Sequence, residues 1–199
     1  NLTKKWKTKK KRAREAGKFT SKLVLDYEGK DTVFIGYDQH EAQVTIDGIF
    51  KGDVPSELLT EGDEGIIILN QTPFYAESGG QVGDIGTIQG SNFEFIVQDT
   101  YKIKGNIFGH AGYVQVGKLN LKDKANAIIN ISHRSNIKRN HSATHLLHKA
   151  LKIILGGHVE QKGSLVDSVK TRFDFSHNKA LTPNEIKEVE LIVNSEILH

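Results

Sequence analysis

The hydrophobic pattern of this chain changes its period near residue 133. Before that point, short apolar runs rich in β-branched residues are separated by Gly, Asp and Asn, and after it apolar residues recur at helical spacing. Short strands joined by glycine turns are typical of a small barrel or sandwich, whereas a 3.6-residue period indicates amphipathic helices. The sequence therefore predicts an α+β fold, in which a small glycine-rich β-barrel over residues 23–133 precedes an α/β core over residues 134–199 with two helices and further strands.

Six segments of the barrel region have the composition of β-strands. Glycines between them predict turns, and Asp47-Gly48 has the sequence of a tight hairpin turn. The predicted strands span residues 32–37, 42–46, 66–69, 93–97, 113–116 and 127–131.

Two helices are predicted in the second region, with a strand over residues 172–175 between them. The first helix carries an apolar stripe over residues 143–154 and is stopped by two glycines at 156 and 157. The second begins with a capping residue, a proline at the first helical position and a glutamate three residues after the cap, namely Thr182, Pro183 and Glu185.

Positive charge is concentrated at the N-terminus. Residues 1–18 hold nine of the 27 Lys and Arg side chains and one of the 24 acidic ones, so residues 19–199 carry 18 basic and 23 acidic side chains. A cationic segment attracts a phosphate backbone, although a solvated helix surface explains the same pattern more simply. Residues 1–22 are predicted to form a helical tail.

The remaining composition excludes several classes of protein. There is no cysteine, so disulfides are ruled out and a reducing compartment fits. No apolar run approaches the roughly 18 to 20 residues that cross a bilayer, and the lysine-rich start lacks the apolar stretch of a signal peptide. We therefore expect a cytoplasmic protein with no membrane partner. The absence of any methionine suggests an excerpt of a longer chain.

A face of histidines lies on the first predicted helix. At 100° per residue, His141, His145 and His148 fall within about 60° of one another, opposite the apolar stripe. Two histidines at positions i and i+4 can direct ring nitrogens at one zinc ion. The spacing alone is weak evidence for a zinc site, because nine histidines in 199 residues give about 0.4 such pairs by chance. A solvated polar face explains the spacing equally well. Ser142 stands where a zinc protease helix has its glutamate, which disfavours a protease.

Three longer motifs, taken together and in order, resemble alanyl-tRNA synthetases. Residues 139–148, Arg-Asn-His-Ser-Ala-Thr-His-Leu-Leu-His, resemble the editing-domain signature of that family. Residues 74–84, Phe-Tyr-Ala-Glu-Ser-Gly-Gly-Gln-Val-Gly-Asp, resemble its glycine-rich motif and separate the alanyl from the threonyl branch. Residues 159–166, leading into 172–177, match the region after the histidine helix.

The resemblance implies an internal part of the full synthetase. Residues 11–19 resemble the linker that enters the editing domain, so residues 1–22 are expected to connect it to the tRNA-recognition region. Family members complete the zinc site with a Cys-x-x-x-His motif further along, and this sequence stops at His199. The resemblance therefore implies a zinc half-site formed by His141 and His145. ATP is expected only in an aminoacylation domain outside these residues.

The resemblance also implies a reaction, the hydrolysis of mischarged Ser-tRNA(Ala) and Gly-tRNA(Ala) by part of an alanine–tRNA ligase. Thr144 and Gln161 are the expected residues of the catalytic pocket, and Arg139 and Lys162 are expected to meet phosphates of the tRNA(Ala) acceptor end. The remainder of the synthetase is the other expected partner. Two alternatives stay open, a stand-alone alanyl-tRNA editing hydrolase and a non-catalytic tRNA-binding module.

Overall fold

The computed structural model describes residues 25–198, so the tail predicted over residues 1–22 lies outside them. Twelve strands and two helices, α1 and α2, follow one another along these residues. In chain order they are β1 Val33–Phe34, β2 Glu41–Lys51, β3 Val54–Pro55, β4 Leu58–Thr60, β5 Glu64–Leu69, β6 Gln71–Thr72, β7 Gly86–Gly90, β8 Phe93–Lys104, β9 Ile107–Asn120, β10 Lys124–Ile129, α1 Ile131–Leu155, β11 Gln161–Val166, β12 Thr171–Phe175 and α2 Pro183–Ile197.

Six antiparallel strands form a closed barrel. They pair in the order β10, β7, β8, β9, β5 and β2, and β10 also pairs with β2, which closes the sheet. Closure leaves no free edge among these six strands. The predicted α+β fold, with a small barrel followed by two helices and further strands, is confirmed.

Strand β5 is buried on both faces. Ile67 and Leu69 belong to the apolar cluster inside the barrel, whereas Ile66 and Ile68 belong to a second cluster on the outer face. Leu25 covers that outer face. Burial on two sides explains why this strand is a continuous apolar run rather than an alternating one.

The prediction of a hairpin turn at Asp47-Gly48 is wrong. Both residues lie inside β2, where the pairing with β5 shifts register between Ile46 and Gly48. A Cβ on Gly48 would stand 2.9 Å from the Tyr27 ring and 3.3 Å from Ile68. The glycine therefore makes room for close packing at a bulge, which is a second common use of glycine in strands.

The two helices pack against the β11–β12 hairpin around a third apolar cluster. Its buried members come from α1, the following loop and α2, and they are Ala150, Leu151, Val159 and Val189. The predicted ends are confirmed: α1 stops at Leu155 before Gly156, and Thr182 and Glu185 form the capping box of α2. Neither helix of residues 25–198 is long and apolar enough to cross a bilayer.

Candidate functional site

His141 and His145 lie one turn apart on α1 with their rings stacked. The ring centroids are 5.0 Å apart and the ring planes differ by 24°. His145 is exposed and His141 is half-buried, so the pair faces solvent on the side away from the apolar cluster. Within residues 25–198, no group of three or more His, Cys, Asp or Glu side chains is arranged to hold a metal ion.

Gln81 makes direct contact with this pair. Its Oε1 lies 2.6 Å from Nδ1 of His141, and the glutamine is only 8% exposed. Gln81 belongs to the segment of residues 74–84, here called the glycine-rich loop. The loop was recognisable in the sequence as a motif, but the role of this side chain was not, because a contact across 60 residues leaves no local signal.

The glycine-rich loop is held against β11. The Val82 amide donates to the Val166 carbonyl at 3.0 Å, and the Val166 amide donates to the Gly80 carbonyl at 2.7 Å. Gly80 has φ of 85°, and a Cβ there would stand 2.5 Å from the carbonyl oxygen of Ser164. Both the left-handed backbone and the close approach require glycine at this position.

A buried ion pair fixes the first turns of α1 to the other end of the loop. Nε of Arg134 donates to both carboxylate oxygens of Asp84 at 2.9 Å. The guanidinium also donates to the carbonyls of Gly36 and Pro73, and Asp84 accepts the Tyr75 amide. With all these partners the buried charges are well satisfied. The pair was not predicted from the sequence, although an arginine on the packed side of a helix was the signal available.

Thr144 lies on the side of α1 that faces β12 and is 7% exposed. Its hydroxyl donates to the Asn140 carbonyl at 2.8 Å and lies 2.6 Å from the hydroxyl of Thr171. Since its own hydrogen is directed at Asn140, the Thr171 hydroxyl is the donor between the two threonines. The side chain therefore links helix to hairpin.

The other predicted site residues lie on the surface. Gln161 is exposed at the start of β11, where its amide donates to the Ser164 hydroxyl at 3.1 Å. Lys162 pairs with Glu160 at 2.9 Å. Arg139 is exposed on α1 and donates to Asn136. Among the described residues, none of these three forms a hydrogen bond with the histidine pair.

An open groove runs along α1 beside His145. It is lined by basic and apolar side chains, His145, His148, Lys149, Lys152 and Ile153. The ring of His148 lies 5.0 Å from that of Phe173 on β12, so His148 is turned toward the hairpin rather than stacked with the pair. The groove therefore presents two lysines next to the exposed imidazole of His145 and the half-buried imidazole of His148.

A family model described as tRNA synthetases class II (A) matches residues 1–133. The chain belongs to the class II (A) tRNA synthetases. Over 189 residues it is 50% identical to the alanine–tRNA ligases of Aromatoleum aromaticum and of Methylobacillus flagellatus, and 49% identical to that of a Polaromonas species. These alignments cover 95% of the chain and 22% of each relative, so the chain spans about a fifth of their length. The alanyl family that the motifs indicated is thereby confirmed.

Proposed function

We propose that this part of the synthetase contributes the site that hydrolyses mischarged tRNA(Ala). The observation that carries the proposal is the histidine pair on α1, with its rings stacked, His145 exposed and His141 joined to the buried Gln81. The substrate is the ester between serine or glycine and the 3′-terminal adenosine of the tRNA. The reaction belongs to protein synthesis in the cytoplasm.

A pocket for alanine explains the need for such a site. Glycine is smaller than alanine and cannot be excluded sterically, and a pocket rejects an added hydroxyl by only about 10²-fold. Hydrolysis at a second site removes the errors that binding allows.

The chemistry of the donor set fits zinc. His141 and His145 would hold the ion through ring nitrogens, and His141 already has the hydrogen-bond acceptor on its other nitrogen that zinc-binding histidines use. Zinc takes at least three protein ligands in catalytic sites, so the remaining ligands would come from outside residues 25–198. When bound, zinc polarises a carbonyl or lowers the pKa of water to about 7.

The neighbouring side chains have separate proposed roles. Lys149 and Lys152 in the groove, together with Arg139 and Lys162, would neutralise phosphates of the acceptor end. The hydroxyl of Thr144 is occupied within the fold, so its role in the amino-acid pocket is steric rather than that of an acid or base.

Gln161 has a different proposed role. One amide hydrogen is directed at Ser164, and the second can donate to the ester carbonyl of the substrate.

The test is deacylation of Ser-tRNA(Ala) by a complete alanine–tRNA ligase that contains these 199 residues. With His141→Ala we expect hydrolysis to slow by about 100-fold or more, the usual size of a lost electrostatic or acid–base contribution. Thr144→Phe should also slow it by filling the pocket. His40→Ala, at an exposed histidine of the barrel region, is the matched control. Undiminished hydrolysis in both His141→Ala and Thr144→Phe would refute the proposal.

A non-catalytic tRNA-binding module is the second candidate, favoured by the lysines of the groove. It predicts that Lys149→Glu with Lys152→Glu abolishes tRNA binding, while His141→Ala changes neither binding nor hydrolysis. Zinc analysis of the purified protein separates the two candidates further, because the binding module requires no metal.

A further inference from the structure

We infer that Gln81 is a positioning residue that fixes the tautomer of His141. The inference rests on the proposed function, because it assigns a purpose to the free nitrogen of that imidazole. A neutral imidazole carries its proton on one ring nitrogen and a lone pair on the other, and only the lone pair binds a metal. If one ring nitrogen donates its proton in a hydrogen bond, the other therefore carries the lone pair that can bind a metal ion.

The contact defines which nitrogen carries the proton. The atom of Gln81 that faces Nδ1 of His141 is the carbonyl oxygen, 2.6 Å away. An amide oxygen has no hydrogen and can only accept. Nδ1 of His141 must then be the donor, which leaves Nε2 with its lone pair available to a metal ion.

The backbone of Gln81 is fixed from both sides. Its amide and carbonyl exchange hydrogen bonds with those of Ser78, at 3.0 and 3.1 Å. The residues before and after it, Gly80 and Val82, are both bonded to Val166 of β11. A buried glutamine on such a backbone holds its amide oxygen in one place, so the imidazole takes its orientation from the loop.

His145 provides an internal comparison. Its ring stacks on that of His141 but, within residues 25–198, makes no hydrogen bond to a protein atom. Among the described residues, no side chain or backbone group therefore fixes its tautomer as Gln81 does for His141. A change at Gln81 should alter one ring of the pair and leave the other as it was.

The experiment is long-range ¹H–¹⁵N NMR of the imidazoles in the metal-free 199-residue chain, at a pH about 1.5 units above the ordinary imidazole pKa of about 6.5. We expect the Nδ1–H tautomer for His141, and conversion to mainly Nε2–H in Gln81→Leu. Gln81→Glu keeps an acceptor and should keep Nδ1–H. Gln89→Leu is the matched control, because Gln89 bonds to Glu94 rather than to α1. The Nε2–H form in the unaltered chain, or an unchanged tautomer in Gln81→Leu, would overturn the inference.

Zinc titration by calorimetry gives the second readout, with the same substitutions made in a complete alanine–tRNA ligase that contains these 199 residues, because His141 and His145 alone are too few ligands for a zinc site. Loss of such a hydrogen-bond partner weakens metal affinity by roughly 10- to 100-fold, and we expect this for Gln81→Leu but not for Gln81→Glu or Gln89→Leu. Equal affinities in all four proteins, or no zinc binding at all, would overturn the role in metal binding. Neither measurement involves tRNA, so a failure of the deacylation proposal is recognised separately.

Discussion

At the scale of single residues, His110 shows how a titratable group is held neutral in the barrel. It has no solvent exposure, and its Nδ1 lies 3.0 Å from the Ile67 carbonyl, to which it donates. Its Nε2 lies 2.7 Å from the Thr72 hydroxyl, which in turn accepts the amide of Phe74 at the start of the glycine-rich loop. Burial lowers the pKa of His110 to about 4.

Acid should therefore destabilise the fold through His110. At His110 the unfolded chain takes up a proton near pH 6.5 and the folded chain near pH 4. The contribution of neutral His110 to the free energy of unfolding is therefore fully present above pH 6.5 and is lost as the pH falls toward 4. Between pH 7 and 5 the loss is about 2 kcal/mol. Burial raises the pKa of Asp99 to about 6, and that carboxyl acts in the opposite direction over the same range.

The measurement is urea unfolding of the unaltered chain and of His110→Gln at pH 7 and pH 5. Because Asp99 is present in both proteins, the difference between them isolates the histidine. We expect the difference in free energy of unfolding between the two proteins to be about 2 kcal/mol smaller at pH 5 than at pH 7. His40→Gln, at an exposed histidine of the same region, is the matched control. A constant difference for His110→Gln would contradict the assignment.

The sequence did not distinguish His110 from the five other histidines that lie outside the histidine face. Its burial results from the pairing of β9 with β5, which places it opposite Ile67. The pair on α1 was predictable because both members lie on one helix, where spacing determines direction. A core histidine on a strand has no such local mark.

At the scale of secondary-structure elements, the Arg134–Asp84 pair holds α1 to the barrel. Arg134→Met should lower the free energy of unfolding by about 3 to 5 kcal/mol, because it leaves the Asp84 carboxylate buried without its counter-charge. The double variant Arg134→Met with Asp84→Asn should recover part of this loss, since the uncompensated charge is gone. Chemical unfolding of the single and double variants measures both effects.

The chain offers a matched control for that prediction. Arg172 and Asp174 form an ion pair at 3.1 Å, with side chains 64% and 49% exposed. Arg172→Met should change the free energy of unfolding by less than about 1 kcal/mol. Equal effects at the two arginines would show that burial of the Arg134 pair does not matter.

Elements with their own end signals were predictable, and those defined by their partners were not. The capping box at Thr182 acts within four residues, so the start of α2 could be predicted. Asp47-Gly48 has the composition of a turn, but the tertiary pairing of β2 with β5 keeps it extended. The short β6 pairs in parallel with β1 over two residues, and only that distant partner defines it.

At the scale of the whole molecule, apolar packing is divided between two places and the junction is polar. The barrel holds two clusters, inside and on its outer face, and the helices with the β11–β12 hairpin hold the third. Between them lie the Arg134–Asp84 pair, the contact of Gln81 with His141 and the hydrogen bonds of the glycine-rich loop to Val166. The candidate site is formed at this junction.

Two adjacent glycines allow the junction to be tested. Gly79 and Gly80 both have positive φ, so an alanine costs about 1 to 2 kcal/mol of backbone strain at either position. Only at Gly80 would the added Cβ meet the backbone of Ser164, whereas at Gly79 it meets nothing within 4 Å. Gly80→Ala should therefore cost about 1 to 3 kcal/mol more in urea unfolding than Gly79→Ala.

Deacylation of Ser-tRNA(Ala) should follow the same order in the complete synthetase. Gly80→Ala displaces the residue next to Gln81, so hydrolysis should fall further than in Gly79→Ala. Equal stability and equal hydrolysis in the two variants would contradict the close contact between loop and hairpin. The sequence could indicate the glycine-rich loop and the histidine helix separately, but the contact between them depends on the whole fold.

The distance along the chain between Gln81 and His141 also sets an order of events during synthesis. Domains form from the N-terminus as the ribosome releases the chain at about 5 to 20 residues per second. The 60 residues that separate the two side chains correspond to several seconds, ample time for hairpins to close within microseconds. The histidine helix therefore emerges after the glycine-rich loop and the barrel strands, so the hydrogen-bond acceptor of His141 is synthesised before its donor.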